Sequence, residues 1–204
     1  SEMCIRDRGA KPGIGGVLPA DKITEEVSQI RGVPRGQDCI SPARHRVFST
    51  PTELIEFIAQ MRELSGGKPA GFKLCVGSRR EVLAICKAMR EVGTTPDFIV
   101  VDGSEGGTGA APIDFEDHVG MPLTDGLMTV HNALVGTGLR DQVKLGASGK
   151  VAGGADIVMR MIQGADFTNA ARAMMMALGC IQAQRCHTGK CPSGVATQDP
   201  RRTR

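Results

Sequence analysis

The chain has 204 residues, of which 41% are hydrophobic and 23% charged, and this balance excludes a mainly disordered protein. It contains no Trp or Tyr, and its net charge of +3 is spread along the sequence, so we expect no nucleic-acid partner. No apolar run approaches the roughly 20 residues of a membrane span, and the first residues lack the apolar segment of a signal peptide. The composition therefore predicts a cytoplasmic protein without a membrane partner.

The amino-terminal segment differs from the rest of the chain. Residues 1–8 look arbitrary beside the sequence after them, and we expect them to be a non-native leader on a truncated chain. The stretch GAKPGIGGVLPADK, which begins at Gly9, is too rich in Gly and Pro to form one regular element, so it predicts a loop. The chain contains no internal repeat and no low-complexity linker. We therefore treat residues 9–200 as one domain or one piece of a domain.

From residue 50 onward, short apolar runs alternate with helical patterns. Residues 51–64 predict a helix that ends at Ser-Gly-Gly, and Ser78 is the expected cap of a second helix. The apolar face of the first helix would carry Leu54, Phe57, Ile58, Met61 and Leu64. The predicted strands cover residues 72–76, 98–103, 143–148 and 166–171. The later predicted helices cover residues near 125–138, 150–165 and 171–180.

This alternation of strands and helices predicts an α/β fold with a parallel sheet built from βαβ units. The strand interiors are apolar without alternation, as expected when both faces of a sheet are covered. Four units are half of a (β/α)8 barrel, which usually takes roughly 250 residues, but they could also complete a doubly wound sheet. Topology alone leaves both alternatives open.

Three of the seven cysteines, Cys180, Cys186 and Cys191, have the spacing C-x5-C-x4-C in a loop rich in Gly and Pro. An odd number of cysteines in a chain of this size indicates thiols or metal ligands rather than disulfides. The three could simply be buried residues, or they could bind zinc together with His187, although zinc sites usually contain C-x2-C pairs. An iron–sulfur cluster with three protein ligands fits the count better.

Glycine-rich turns follow the predicted strands at two places. SEGGTGAAP, with Gly106, Gly107, Thr108 and Gly109, follows the strand at 98–103, where parallel α/β folds place ligand-binding loops. It could also be a flexible connection without a ligand. Backbone N–H groups after the last two strands would suit a phosphomonoester. The residues concerned are Ser148 and Gly149, and Ala171 and Arg172.

Lys73 lies inside an otherwise apolar strand, FKLCV. A lysine in that position is costly unless it reaches a partner, so it is a candidate to meet the negative charge of a ligand. Alternatively its side chain extends past the strand end into solvent.

The motifs GAKPGIGG, DGSEGGTGAAP, ASGK and C-x5-C-x4-C followed by PSGVATQDP together resemble the flavin domain of glutamate synthase, across residues 9–200. The cysteine motif is the most specific of them. The resemblance implies the carboxyl-terminal half of a (β/α)8 barrel, truncated at its amino terminus. It also implies FMN, a [3Fe–4S] cluster, and the reduction of 2-iminoglutarate, formed from 2-oxoglutarate and ammonia, to glutamate.

The resemblance also implies roles for single residues. Lys73 would lie at the electron-rich edge of the flavin ring and Lys11 would meet a substrate carboxylate. The glycines of 106–109 would lie under the ring, and the two strand-end turns would hold the phosphate. Cys180, Cys186 and Cys191 would hold the cluster. The family often has a glycine pair where this chain has Ser148-Gly149, and Gly-Thr where it has Ala171-Arg172.

The implied partners are small molecules, namely 2-oxoglutarate with glutamine or ammonia, and an electron donor protein or NAD(P)H-oxidising subunit. A hypothesis of another class is a non-enzymatic α/β module in which the thiols bind zinc for structure. Metal analysis and a visible spectrum distinguish the two.

Overall fold

The computed structural model describes residues 3–7, 17–40, 45–105, 118–183, 185–186, 190–197, 199 and 201. Its strands are β1 (Met3–Asp7), β2 (Val17–Leu18), β3 (Cys39–Ile40), β4 (Ala70–Leu74), β5 (Phe98–Asp102), β6 (Lys144–Ser148) and β7 (Phe167–Asn169). Its α-helices are α1 (Glu25–Arg31), α2 (Pro51–Leu64), α3 (Arg79–Val92), α4 (Leu123–Gly136), α5 (Gly154–Ile162) and α6 (Ala171–Ala177). Among the described residues, short 3-10 helices cover Ala20–Lys22 and Arg140–Gln142.

The main sheet has the strand order β1-β4-β5-β6-β7, and every neighbouring pair is parallel. This confirms the predicted α/β class with a parallel sheet. The closure of these strands into a (β/α)8 barrel stays a prediction, as does the non-native leader at residues 1–8. Strands β2 and β3 form a separate antiparallel pair.

Capping residues fix where the helices begin. Thr50 and Glu53 form a reciprocal capping box at the start of α2, and the hydroxyl of Ser78 accepts a hydrogen bond from the Arg80 N–H at the start of α3. The predicted helices at 51–64 and after Ser78 are thus confirmed. The strand predictions are confirmed in order, with boundaries that differ by up to two residues.

One prediction for helix α2 is wrong. Leu64, predicted on the buried face of α2, is 80% exposed, because it is the last residue of the helix and lies past the packed part. Ile55 is fully buried in its place. Helix α1 was not predicted, although Thr24 caps it and Gly32, with φ +62°, ends it in the left-handed region.

The hydrophobic core lies between one face of the sheet and helices α2 to α4. Alternate strand residues point toward it, as the period of two in a β-strand requires. The strand contribution consists of Ala70, Phe72, Ile99, Val101, Leu145 and Ala147. The residues between them, among them Lys73 and Val100, therefore lie on the opposite face of the sheet.

Two Arg–Asp pairs connect the amino-terminal ends of neighbouring strands. The Arg62 Nε donates to Asp97 Oδ2 at 2.9 Å, and the same oxygen accepts the backbone N–H of Ala70 at 2.7 Å. Arg140 and Asp166 repeat this arrangement, with a β6 backbone N–H as the second donor. These pairs fix the strand order at the end opposite to the predicted ligand-binding turns.

Within the described ranges, no helix combines the length and the apolar character that crossing a membrane would require.

Candidate active site

Three side chains from neighbouring strands meet at the carboxyl-terminal edge of the sheet. The Lys73 Nζ on β4 lies 2.9 Å from Oδ2 of Asp102, the last residue of β5. It also donates a hydrogen bond of 3.3 Å to Oγ of Ser148, the last residue of β6. The side chains of Lys73 and Asp102 are only 12% and 16% exposed, so the lysine meets partners within the protein instead of extending into solvent.

The strand register explains this meeting. Lys73 lies beside Val100 on β5, so Asp102 is two residues further along the neighbouring strand and on the same face. Asp102 in turn lies beside Ser148. The lysine side chain therefore reaches diagonally toward the carboxyl-terminal edge. Its contact with a ligand stays a prediction. Sequence analysis missed Asp102, although an acidic residue that ends an apolar strand was a usable signal.

The turns after β5 and β6 touch one another. The Gly103 N–H donates to the Ser148 carbonyl oxygen at 2.8 Å. Gly149 has φ +142°, and a Cβ atom built on it would lie 3.3 Å from the Gly103 nitrogen. A Cβ atom on Gly103 would lie 2.8 Å from the backbone nitrogen of Leu123. Because side chains at these positions would separate the backbones, glycine is required for this close approach.

Both ends of the glycine-rich connection are anchored at this edge. The Glu105 carboxylate accepts the Leu123 N–H at the start of α4 at 2.8 Å, and the Ser104 N–H donates to the Met121 carbonyl oxygen at 3.0 Å. Residues 103–105 and 121–123 are therefore held together at this end of the sheet. The predicted ligand-binding residues of the connection, Gly106, Gly107, Thr108 and Gly109, lie outside the described residues, and so does Lys11.

The two predicted phosphate turns lie at one edge of the sheet. Ser148 is the last residue of β6, and Gly149 follows it. Ala171 and Arg172 are the first residues of α6, which begins shortly after β7. Because β6 and β7 are parallel neighbours, both turns follow the carboxyl ends of adjacent strands. Helix α6 has no side-chain cap, and its first N–H groups have no partner within the helix. These backbone groups have the chemistry that a phosphate ester requires.

The cysteine segment follows α6. Cys191 is buried, and its Sγ lies 3.5 Å from the Ser193 Oγ. Hydrogen bonds from the Ser193 hydroxyl and then the Ala196 N–H lower the pKa of this thiol to about 7. The ammonium group of Lys22 donates to the carbonyl oxygen of Cys186.

The three thiols do not form a metal-binding group in the described part of the chain, where no three His, Cys, Asp or Glu side chains could hold a metal ion. Cys39, Cys75, Cys86, Cys180, Cys186 and Cys191 form no disulfide. His187 lies outside the described residues. The iron–sulfur and zinc alternatives therefore both stay predictions.

A cavity of about 330 Å³ opens near the end of β4, between α2 and α3. Its lining includes Phe48, Leu74, Cys75 and Ser78 but none of the predicted site residues that the structure describes. Since Leu74 points to the helix side of the sheet and Lys73 to the other, this cavity is separate from the cluster of Lys73, Asp102 and Ser148.

Comparison with solved structures gives weak similarity. The DHODH of Eimeria tenella in complex with ferulenol matches 61% of this chain and 38% of its own, with 15% identity and a TM-score of 0.41. A double mutant of flavocytochrome b2 with pyruvate bound matches 82% of this chain and 36% of its own, with 16% identity and a TM-score of 0.43. These TM-scores support no inference about function.

Comparison with curated sequences is decisive. The glutamate synthase large subunit-like protein YerD of Bacillus subtilis is 45% identical over 95% of this chain and 37% of its own length. The archaeal-type glutamate synthase [NADPH] of Thermotoga neapolitana is 39% identical over 97% of this chain and 38% of its own length. The chain thus spans well under half the length of these relatives. A family model described as the conserved region in glutamate synthase matches residues 5–204, so this chain belongs to the glutamate synthase family.

Proposed function

We propose that this chain forms part of a flavin-dependent oxidoreductase of glutamate synthase type. The reaction would reduce 2-iminoglutarate, formed from 2-oxoglutarate and ammonia, to glutamate. Membership of the glutamate synthase family supports this reaction class. Because the chain spans only 37% and 38% of the Bacillus and Thermotoga relatives, the activity of a whole glutamate synthase is an inference for this protein.

The observation that carries the proposal is the position of the Lys73 ammonium group. It lies on the face of the sheet opposite to the core, at the edge where the glycine-rich turns meet. An ammonium group has three N–H donors, and Asp102 and Ser148 accept two of them. We propose that the remaining donor faces the electron-rich edge of a bound ring.

The described residues offer FMN a cation and backbone N–H donors. Lys73 would meet the ring, while the backbone N–H groups near Gly149 and Arg172 would hold the phosphate at the ends of β6 and β7. The glycines of 106–109 would lie under the ring. FMN, when bound, supplies the hydride transfer, and the protein supplies its position and the surrounding charge. Lys11 is the proposed partner of a substrate carboxylate.

We further propose that Cys180, Cys186 and Cys191 hold a [3Fe–4S] cluster. The support is the donor chemistry of three thiols, since the described residues do not bring them together. For this reason we assign no step of the reaction to the cluster. Electrons would come from a donor protein or an NAD(P)H-oxidising subunit, in keeping with the relatives named glutamate synthase [NADPH]. The amino group would come from glutamine or ammonia.

The test is a visible spectrum of the purified protein together with iron, sulfide, zinc and flavin analysis. We expect a flavin absorption band, FMN released on denaturation, and iron with sulfide. One zinc per chain without colour would instead support the non-enzymatic zinc module. Binding of neither flavin nor metal would contradict the proposal.

Matched cysteine variants test the cluster separately from the flavin. Cys191→Ser should lose iron and keep FMN, because Cys191 belongs to the C-x5-C-x4-C spacing and not to the turns that would hold the phosphate. Cys39→Ser is the control, since Cys39 lies on β3, outside the C-x5-C-x4-C spacing. Equal iron content in both variants would remove the support for the cluster.

A further inference from the structure

We propose that Asp102 is a positioning residue that holds the Lys73 ammonium group in place and offsets its charge, and so lowers the reduction potential of the bound flavin. This inference rests on the proposed function and deepens it. It begins from a contact within the protein: Asp102 Oδ2 lies 2.9 Å from Lys73 Nζ, in a pair whose side chains are 12% and 16% exposed.

Asp102 determines where the lysine points. Lysine has a flexible four-carbon stem and a point charge, so the location of its ammonium group depends on its acceptors. Asp102 lies two residues beyond the register partner of Lys73 and therefore draws the ammonium group toward the carboxyl-terminal edge. Ser148 adds a second acceptor from β6 at 3.3 Å. Together the two acceptors hold the charge beside the glycine-rich turns.

Asp102 also determines how much positive charge a ligand experiences there. The carboxylate and the ammonium group are in contact and largely excluded from water, so their fields toward a third group partly cancel. A reduced flavin carries more negative charge than an oxidised one, so a cation favours the reduced form. By offsetting that cation, Asp102 would favour the oxidised form and lower the potential.

The substitution Asp102→Asn separates the two roles. Asparagine keeps the shape and one oxygen acceptor for the ammonium group, but it removes the negative charge. Lys73 would then act on the flavin without compensation. We expect the preference for the reduced over the oxidised flavin to rise about tenfold, which corresponds to a potential about 30 mV higher for a two-electron couple.

The experiment is a redox titration of the purified protein reconstituted with FMN, for the original sequence, Asp102→Asn and Asp141→Asn. Asp141 is the matched control because it is exposed and lies before the amino-terminal end of β6, at the opposite edge of the sheet. Its substitution removes the same charge and should leave the potential unchanged. Asp102→Ser, which is also neutral, is a second variant in case the asparagine protein does not fold, and its potential should rise as well.

Each outcome supports or overturns the inference. The inference is supported if the reduction potential of the flavin rises in the neutral variants of Asp102 and stays unchanged in Asp141→Asn. An unchanged or lower potential with FMN bound overturns it and leaves the proposed function intact, because Asp102 would then have only a structural role. A folded protein that binds no flavin overturns both.

Discussion

Replacing Lys73 by Met tests whether the buried pair with Asp102 stabilises the protein. Methionine keeps the length of the side chain and removes its charge, so Asp102 would lose the cation 2.9 Å from its carboxylate. Removing one partner of a buried ion pair typically costs about 3 to 5 kcal/mol of unfolding free energy. Since water reaches part of both side chains, we expect about 2 to 4 kcal/mol here.

Urea denaturation of four proteins measures this effect: the original sequence, Lys73→Met, Asp102→Asn and the double variant. The double variant should be more stable than Lys73→Met alone, because it removes the negative charge whose cation the single substitution takes away. Lys68→Met is the control, since Lys68 is exposed and precedes β4. This account of the pair would be refuted if the two substitutions changed the free energy of unfolding additively, or if Lys73→Met lowered it by less than about 1 kcal/mol.

The same substitution should change the flavin. An electrostatic partner in a partly desolvated site contributes about 1 to 3 kcal/mol to the reduced form, so its loss lowers a two-electron potential by roughly 20 to 65 mV. The negative charge of Asp102 is then no longer offset by Lys73, which moves the expected fall toward the upper end. A redox titration with FMN checks this. An unchanged potential with FMN bound would show that Lys73 does not act on the flavin.

Three further predictions concern stability and can be measured by chemical denaturation. Gly71→Ala should lower the free energy of unfolding by about 3 kcal/mol or more, because its Cβ would lie 2.1 Å from a backbone oxygen of β5. Gly146→Ala should lower it less, since its Cβ would meet a phenylalanine ring that can move. Asp97→Ala should lower the free energy of unfolding by about 2 to 4 kcal/mol, because it leaves the Ala70 N–H without its acceptor. Asp97→Asn should lower it clearly less, and equal losses in the two variants would contradict this account. Hydrogen bonds from the Ser49 backbone, and then from its hydroxyl, lower the pKa of Glu53, so the stability that Glu53 contributes should be lost as the pH falls below about 4.5, and Glu53→Gln should remove that dependence.

Several parts of the candidate site could be predicted from the sequence because they depend on local pattern. Lys73 was identified as a polar residue in an apolar strand, and the turns at Ser148 and Arg172 were identified by their places after strands. The structure places the two turns after neighbouring parallel strands and Lys73 two strands away from the first of them. The ligands of these residues stay a prediction, because residues 106–117 of the glycine-rich connection lie outside the described residues.

The partner of Lys73 could not be predicted in the same way. Asp102 is 29 positions further along the chain, and only the parallel register of β4 with β5 brings the two charges together. The grouping of the three cysteines likewise depends on how a loop folds, which spacing alone does not determine.

The sequence by itself determined the order of strands and helices from residue 50 to 177, because apolar runs, helical periodicity and capping residues such as Thr50 and Ser78 act within a few positions. The tertiary structure decided which residues are neighbours. It exposed Leu64, buried Ile55 and paired Lys73 with Asp102. These outcomes depend on which strand lies beside which and in what register, and contacts between residues distant in sequence are fixed only when the sheet and its helices pack together.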